Sequence, residues 1–217
     1  MATPSPLPII TLTGLHVRLE PLTAEHIAGL IEAASGPRDT FALTWVPTPD
    51  ADSVGNYVHA ALSAYNAGTA LPFATVRLDG GPATVVGSTR FMNVERWVWP
   101  ASRPRQPEIE SRIGPEAVEI GSTWLGASAQ RSAVNTEAKL LMLTYAFETW
   151  KCLRVSLRTD ARNMRSRANI ERVGATFEGV LRNHMWAYDD GIRDTATYSL
   201  VAADWPGAKE RLAARLR

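Results

Sequence analysis

The segment QRSAVNTEAK, residues 130–139, has residue types that can bind an anion at the start of a helix. A helix start carries backbone N–H groups without intrahelical partners and a partial positive charge, so phosphates bind there without special side chains. The small residues Ser132 and Ala133 allow close approach to the backbone, Gln130 adds donors, and Asn135 is the predicted N-cap. An ordinary capped loop has the same composition, so this segment alone leaves both interpretations open.

A basic stretch further along the chain is a second candidate ligand site. Between residues 150 and 175 the chain has seven basic and two acidic residues, although its net charge is only +1. Arginine suits phosphate because its planar guanidinium donates two parallel hydrogen bonds. A phosphate-rich ligand, a nucleic acid and a solvated helix surface all fit such a cluster. The basic residues are Lys151, Arg154, Arg158, Arg162, Arg165, Arg167 and Arg172.

The short helix predicted over residues 161–173 carries two polar residues on one face. Asn163, Ser166 and Ile170 share that face because steps of three and four residues return to the same side of a helix. The two polar side chains either point into a cleft as hydrogen-bond donors or simply fill the helix surface.

A mixed α/β domain of the α+β type is predicted to position these groups. We expect a single domain over residues 1–217, with an N-terminal arm to about residue 14 and a C-terminal helix from about residue 205. Alternating apolar runs predict strands at 16–22, 118–125 and 153–160 and two hairpins, and helical spacing predicts helices at 23–34, 53–68, 136–150 and 161–173.

Three of these segments bear on a site. In the strand VEIGSTWL, residues 118–125, alternation assigns Glu119 to one face and Trp124 to the other. In the helix predicted over 136–150, Glu137 belongs to one narrow polar stripe, so most of the helix surface is expected to be buried. The proline-rich segment 97–115 is predicted to be a long irregular loop that can serve as a lid.

Composition excludes several classes of function. A charge near neutrality argues against a general polyanion binder, and a single cysteine excludes a disulfide framework. The four histidines are scattered, which predicts no metal site, and no Walker-type or dinucleotide-binding glycine motif is present. No apolar run approaches the ~18 residues of a membrane span, and we expect a cytoplasmic protein.

Read in order, four phrases make the chain resemble the GCN5-related N-acetyltransferases, and within them the branch of ribosomal-protein N-terminal acetyltransferases (RimJ/RimL-like). The resemblance is strongest from about residue 118 to 206, and VRLEPL near the start fits the opening strand of the branch. The phrases are EIGSTWL, NTEAKLLMLTYAFE, RVSLRTDARNMRSRANIERVGATFEGVLR and GIRDTATYSL. The resemblance implies a central, mostly antiparallel sheet flanked by helices, with a splayed central strand pair.

The resemblance also implies acetyl-CoA as co-substrate. The family signature is Gln or Arg, two residues, Gly, one residue, then Gly or Ala; here Gln130 takes the first place, Ala133 replaces the glycine and Asn135 takes the last place. The pantetheine arm would pair with the strand near Trp124 and Leu125. The residues implied for the pyrophosphate are Gln130, Arg131, Ser132, Ala133, Val134, Asn135 and Thr136; those for the arm are Asn163 and Ser166; those for the 3′-phosphate are Arg131 and Arg167.

For catalysis the resemblance implies direct attack of an amine on the thioester. Glu119 is the predicted base and His184 a second candidate, because the amine must lose a proton. Ser166 is the matching polar group near the sulfur, as acid or orienting group, while Ile170 stands where many relatives have a tyrosine. The aromatic residues expected to line an acceptor cleft, unless they are core, are Trp45, Tyr57, Phe91 and Trp186.

The acceptor stays open between a ribosomal or other protein N-terminus and a small amine, and a homodimer is left open as well. Two other functions remain alternatives. One is a catalytically weak CoA-binding or sensing module, since the glycine and tyrosine of the family are missing. The other is an RNA-associated protein that uses the basic cluster, against which the near-neutral charge counts. Neither a membrane nor a direct nucleic-acid partner is expected.

Overall fold

The structure, a computed structural model, describes residues 6–100, 102 and 114–216. In these residues eight strands and five α-helices form a mixed α/β fold. The strands are β1 (Leu12–Thr13), β2 (Val17–Pro21), β3 (Leu71–Arg77), β4 (Thr84–Glu95), β5 (Ala117–Leu125), β6 (Arg154–Asp160), β7 (Thr176–Trp186) and β8 (Ile192–Val201). The helices are α1 (Ile27–Ala34), α2 (Ala51–Asn66), α3 (Ala133–Thr144), α4 (Met164–Val173) and α5 (Trp205–Ala214).

All eight strands belong to one sheet, in the order β1-β2-β3-β4-β5-β6-β8-β7. Every neighbouring pair is antiparallel except β5 and β6. This confirms the predicted fold class, a mostly antiparallel sheet in a mixed α/β fold. The one parallel pair needs a helical crossover, which α3 provides.

Helices cover the two sheet faces unequally. On one face α3, α4 and α5 pack on the apolar residues of β5, β6 and β8, and this is the main core. The other face, called the second face below, carries α1 and α2 over β3 and β4, with a smaller apolar cluster that includes Tyr57 and Trp124. Polar side chains of β6 such as Arg154 and Arg158 are about one-third exposed, which leaves charged groups beside this smaller cluster.

A bulge in β5 changes which residues share a face. Ser88 lies opposite Trp124, but Arg90 lies opposite Gly121, so β5 has one extra residue there, and Ser122 takes φ 47°. A bulge reverses the alternation beyond it. Trp124 therefore lies on the second face, and the assignment of Glu119 and Trp124 to opposite faces is wrong.

Helix α3 begins three residues earlier than predicted. Ser132 is the N-cap, since its Oγ accepts a hydrogen bond from the Val134 N–H at 3.3 Å, and so Asn135 already lies within the first turn. The end also differs, because residues Tyr145–Thr149 form a π-helical turn. The helix start thus coincides with the predicted anion-binding segment.

The charged residues of α3 are not a solvent stripe. Glu137 is buried, and its carboxylate accepts hydrogen bonds from the backbone N–H groups of Leu15, His16 and Val17 at 2.6–2.9 Å. These contacts attach the N-terminal segment to the central helix. A Cβ at Gly14 would overlap this carboxylate.

Candidate active site

The parallel strands β5 and β6 pair only over three residues. Residues 117–119 of β5 lie opposite residues 154–156 of β6, and beyond Glu119 no further pairing joins the two strands in the described residues. The other edge of β5 keeps its ladder with β4 as far as Leu125. One backbone edge of β5 is therefore open, and an extended ligand can satisfy its N–H and C=O groups as a strand would.

The first turn of α3 follows this open strand after a short segment, residues 126–132. Its N–H groups have no intrahelical acceptors. The left-handed residue of the turn is Arg131, at φ 61°, whereas neither Ala133 nor Asn135 has a positive φ. Alanine in place of the family glycine therefore causes no backbone strain here. Val134 is fully buried in the main core, so only its backbone faces the turn.

An open cavity of about 310 Å³ lies over the first turn of α3, with α4 and the end of α5 as its other walls. Arg172 and Arg215 add positive charge to this cavity, where a helix start already favours an anion. Arg172 was predicted as a member of the basic cluster, whereas Arg215 was not predicted to contact the phosphates. The predicted residues that line the cavity are Ser132, Ala133, Asn135 and Thr136.

Three of the seven residues of the basic cluster form ion pairs elsewhere in the fold. Only Arg172 of its seven members lines the cavity. The residues of the cluster are thus close in sequence, but their side chains on β6 and α4 point in different directions. The ion pairs are Arg154 with Glu178, Arg158 with Glu119, and Arg162 with Asp160 and Asp189.

Gln130 uses its polar atoms within the protein. Its Nε2 donates to the Leu125 carbonyl at 2.9 Å, and its Oε1 accepts from Arg165 Nη2 at 2.7 Å. Gln130 therefore ties the turn to the end of β5 and to the start of α4. In this arrangement it positions the loop and does not present free donors.

The polar residues of α4, like Gln130, form hydrogen bonds within the protein. Asn163 is the N-cap, its Oδ1 accepting from the Ser166 N–H at 2.9 Å, and the Ser166 side chain is half-buried beside it. Ile170 is buried in the main core. Arg167 donates from Nε to Tyr198 Oη at 2.9 Å and lies over the Phe177 ring, so its guanidinium packs against β7 and β8 rather than lining the cavity.

Glu119 is the last β5 residue paired with β6, and its side chain is 7% exposed. Its Oε2 accepts from Asn93 Nδ2 at 2.8 Å and lies 3.3 Å from Arg158 Nε. Its Oε1 has no partner among the described residues and lies beside the bare Cα of Gly121, where a Cβ would come within 3.0 Å. One carboxylate oxygen is thus held in place and the other is available to accept a proton.

The predicted acceptor aromatics fall into separate places. Tyr57 packs between Trp45 and Trp124 on the second face, with ring centroids 5.1 and 6.2 Å apart. Phe91 is fully buried in the main core between Phe73 and Trp150, which closes it to a ligand.

Two predicted residues lie near the far edge of the sheet. Trp186 is 57% exposed and packs on Tyr188. His184, on the edge strand β7, contacts Thr195 Oγ1 through Nδ1 at 3.0 Å. Strands β6 and β8 separate β7 from β5, so the strands that carry His184 and Glu119 lie about 14 Å apart across the sheet.

Three polar residues of the region were missed from sequence, and a fourth, Arg158, was predicted only as a member of the basic cluster. Asn93 and Arg158 hold Glu119, and Arg90 stacks on Tyr57 with its Cζ 5.1 Å from the ring centroid. Lys139 is buried under the β5 bulge, and its Nζ donates to Thr123 Oγ1 at 2.7 Å. Burial lowers the pKa of Lys139 to about 7. A lysine between apolar residues, on a helix expected to be buried on most of its surface, is the sequence signal that could have identified it.

Most of the predicted lid, residues 97–115, lies outside the described residues. Among the residues that the structure describes, no three side chains of metal-ligating type form a group, and none of the helices has the length and apolarity of a membrane span.

Comparisons with known proteins agree with this geometry. Residues 16–176 match the family model described as Acetyltransferase (GNAT) domain. Over 92 residues the chain is 35% identical to YdaF of Bacillus subtilis, a candidate ribosomal N-acetyltransferase. That match covers 42% of this chain and 49% of YdaF, so it spans about half the length of the curated relative.

Two solved structures share the fold over almost the whole chain. A GCN5-related N-acetyltransferase from Brucella melitensis is 27% identical, with a TM-score of 0.80 over 100% of this chain and 90% of that one. Mycobacterium smegmatis RimJ in complex with CoA-disulfide is 22% identical, with a TM-score of 0.75 over 98% of both chains. Because the family model covers well over half of the sequence, the chain belongs to the GNAT acetyltransferase domain family, and the YdaF match agrees with the ribosomal branch of that family.

Proposed function

We propose that the protein transfers an acetyl group from acetyl-CoA to an amine, either a protein N-terminus or a small molecule. The observation that carries the proposal is the separation of β5 from β6 after Glu119, in the strand that leads through a short turn to the start of α3. An extended pantetheine arm fits the open edge of β5, and the diphosphate fits the N–H groups at the start of α3.

The donor end of the proposed site uses main-chain groups and arginines. Acetyl-CoA supplies an activated thioester carbonyl, which the amine attacks directly. The backbone of β5 at the bulge presents N–H groups to the oxygen that gains negative charge, and Arg172 and Arg215 lie over the phosphate end. Ser166 is proposed to orient the departing sulfur, as the half-buried hydroxyl on the first turn of α4.

Glu119 is the proposed proton acceptor. An amine is nucleophilic only after it loses its proton, and Oε1 of Glu119 is the carboxylate oxygen that no described residue occupies. Arg158 and Asn93 fix the carboxylate through Oε2, so that the proton is accepted at a defined place. Glu119 precedes the open part of β5 by one residue, which places the base beside the proposed thioester position.

The name of YdaF supports a ribosomal acceptor, and a small amine is the other acceptor class of this proposal. A cytoplasmic location, where acetyl-CoA and ribosomes meet, is part of this proposal. The alternative is a CoA-binding module with little catalytic activity.

Replacement of Ala133 tests the proposed phosphate position. Ala133→Asp puts a carboxylate on the first turn of α3, where it favours the helix but repels a phosphate. Ala133→Asn has nearly the same shape without the charge. We expect CoA to bind about tenfold more weakly to the Asp variant than to the Asn variant by isothermal titration calorimetry.

A transfer assay separates the two functions. The wild-type protein is incubated with acetyl-CoA and a panel of amines and N-terminal peptides, and thiol release is followed. Acetylated product supports the transferase. Tight CoA binding without any product would support the CoA-binding module instead. The absence of CoA binding would contradict both functions.

A further inference from the structure

Arg90 has no carboxylate partner in the described residues. It lies on β4 opposite Gly121, on the second face, with its guanidinium against the Tyr57 ring. Other arginines of this region are neutralised: Arg154 by Glu178 and Arg158 by Glu119. Partial burial of a cation without a counter-ion costs free energy. An unpaired arginine at this place therefore indicates a ligand that supplies the negative charge.

Three buried donors around Tyr57 also have no acceptor among the described residues. They are the Nε of Arg90, the hydroxyl of Tyr57 and the Nε1 of Trp124. Tyr57 and Trp124 are 1% and 3% exposed. Buried donors are nearly always paired, because a buried donor without a partner destabilises the fold. Donors in excess over acceptors indicate a ligand rich in oxygen.

A second arginine adds positive charge to the same region. Burial raises the pKa of Tyr188, while the charges of Arg193 and Arg90 lower it, so both guanidinium groups act on this phenol. Arg193 donates from Nε to Thr195 Oγ1 at 3.0 Å and, like Arg90, has no ion pair with a carboxylate in the described part of the chain. Two arginines thus act on one half-buried tyrosine, and Arg193 also acts on the Asp160 carboxylate.

We propose that Arg90, with the Tyr57 hydroxyl, binds a carboxylate carried by the acceptor. Arg90 and Glu119 both belong to the second-face side of the β4–β5 ladder, two residue pairs apart. A carboxylate held at Arg90 therefore orients an amine toward Glu119 from within the same molecule. The proposal deepens the transferase function and rests on it. The carboxylate has two possible sources: the α-carboxylate of a small amine, or an acidic side chain near a protein N-terminus.

Paired acceptors test the charge preference. One arm compares β-alanine with β-alanine amide, and the other compares the amidated peptides Ser-Glu-Ala and Ser-Gln-Ala. We expect the protein to favour the carboxylate member of one pair by about tenfold in kcat/KM, because hydrogen bonds to a charged group are stronger than those to a neutral one. The arm that shows the preference identifies the source. An equal rate within both pairs would overturn the proposal.

Arg90 variants assign the preference to this residue. In Arg90→Gln the preference is expected to disappear through a higher KM for the carboxylate acceptor, while the CoA dissociation constant is unchanged; Arg90→Lys should restore part of it. Arg211→Gln on α5, in the opposite layer, removes the same charge and should keep the full preference. A preference that survives in Arg90→Gln would contradict the assignment.

Binding provides a readout that does not need turnover. Titration of the CoA-loaded protein with the carboxylate and amide probes should show the same difference, and its loss in Arg90→Gln. If no acceptor is acetylated but this binding difference is present, the transferase proposal fails while the carboxylate site stands. If neither probe of either pair binds better than its partner, the carboxylate site fails by itself.

Discussion

Glu119 and Ser156 lie opposite each other in the last pair of the parallel ladder between β5 and β6. Beyond them the two strands separate, so the proposed base lies where the edge of β5 becomes open for the proposed ligand. Its position depends on the strand pairing behind it and on Asn93 and Arg158 beside it.

Removal of the Glu119 charge is expected to affect chemistry and spare the binding of CoA. In Glu119→Gln the amide keeps the shape of the side chain but cannot accept the proton of an ammonium, so kcat should fall by about 100-fold. Steady-state kinetics and CoA titration measure the two effects. Glu210→Gln on the exposed face of α5 is the matched control, and equal turnover of both variants would remove Glu119 as the base.

The absence of a side chain at Gly121 is expected to matter for the same carboxylate. A Cβ there would lie 2.7 Å from Met92 Sδ and 3.0 Å from Glu119 Oε1, so Gly121→Ala should displace the carboxylate. Displacement of a catalytic group by about 1 Å costs about 100-fold in rate. Kinetics of the variant give the loss directly.

Gly55→Ala is the control for this substitution. Gly55 lies in α2, and a methyl group added to its Cα would have no atom of another segment within 4 Å. Alanine there should raise stability by about 0.5–1 kcal/mol without loss of activity. A Gly121→Ala protein as active as this control would show that Glu119 tolerates the shift.

The Glu137 carboxylate is expected to contribute strongly to stability. Glu137→Gln replaces one accepting oxygen by an NH₂ group that faces backbone N–H donors, and the loss should be about 3 kcal/mol in the free energy of unfolding. Urea denaturation measures it. Glu148→Gln, at a partly exposed carboxylate near the end of the same helical segment, should cost less than about 1 kcal/mol. Similar losses in the two variants would contradict the role given to Glu137.

Stability should rise with pH above neutrality because of Lys139. Its pKa is about 7 in the folded chain, against the ordinary lysine value of 10.5 that applies to the unfolded chain. Between these values the unfolded chain binds the proton and the folded chain does not, so folding becomes more favourable as pH rises, by about 1.4 kcal/mol per pH unit. Below pH 7 both states bind the proton and this dependence ends.

Lys139→Met isolates this effect. Methionine has a similar length and no charge, and Thr89 and Thr123 still pair with each other at 2.7 Å. We expect the variant to be more stable than the wild type at pH 7, with an advantage that shrinks toward pH 9.5. Urea denaturation of both proteins at several pH values measures the difference, and parallel curves would contradict a lowered pKa.

Secondary structure and the family resemblance could be predicted from the sequence, because apolar periodicity and capping residues act over a few neighbours. The strands β5 and β6, the helix α4 with its glycine stop, and both hairpins lie close to their predicted places. Residues of one turn, such as Ser132 and Ala133, were likewise predicted together, since their proximity follows from chain connectivity. The start of α3 was misplaced because Ser132 and Asn135 both suit a cap, and the full helix packing selects one of them.

Which side chains share the site became clear only in the folded chain. The Ser122 bulge moved Trp124 to the face of Glu119, and no local pattern announces one extra residue in a ladder. The residues of the basic cluster lie apart in the fold, and some of them form ion pairs across strands. Arg90 and Tyr57, which are distant in sequence, are in contact. Charge and pairing at a site depend on which strands are neighbours in the sheet, and strand order is a property of the folded chain and not of any segment of it.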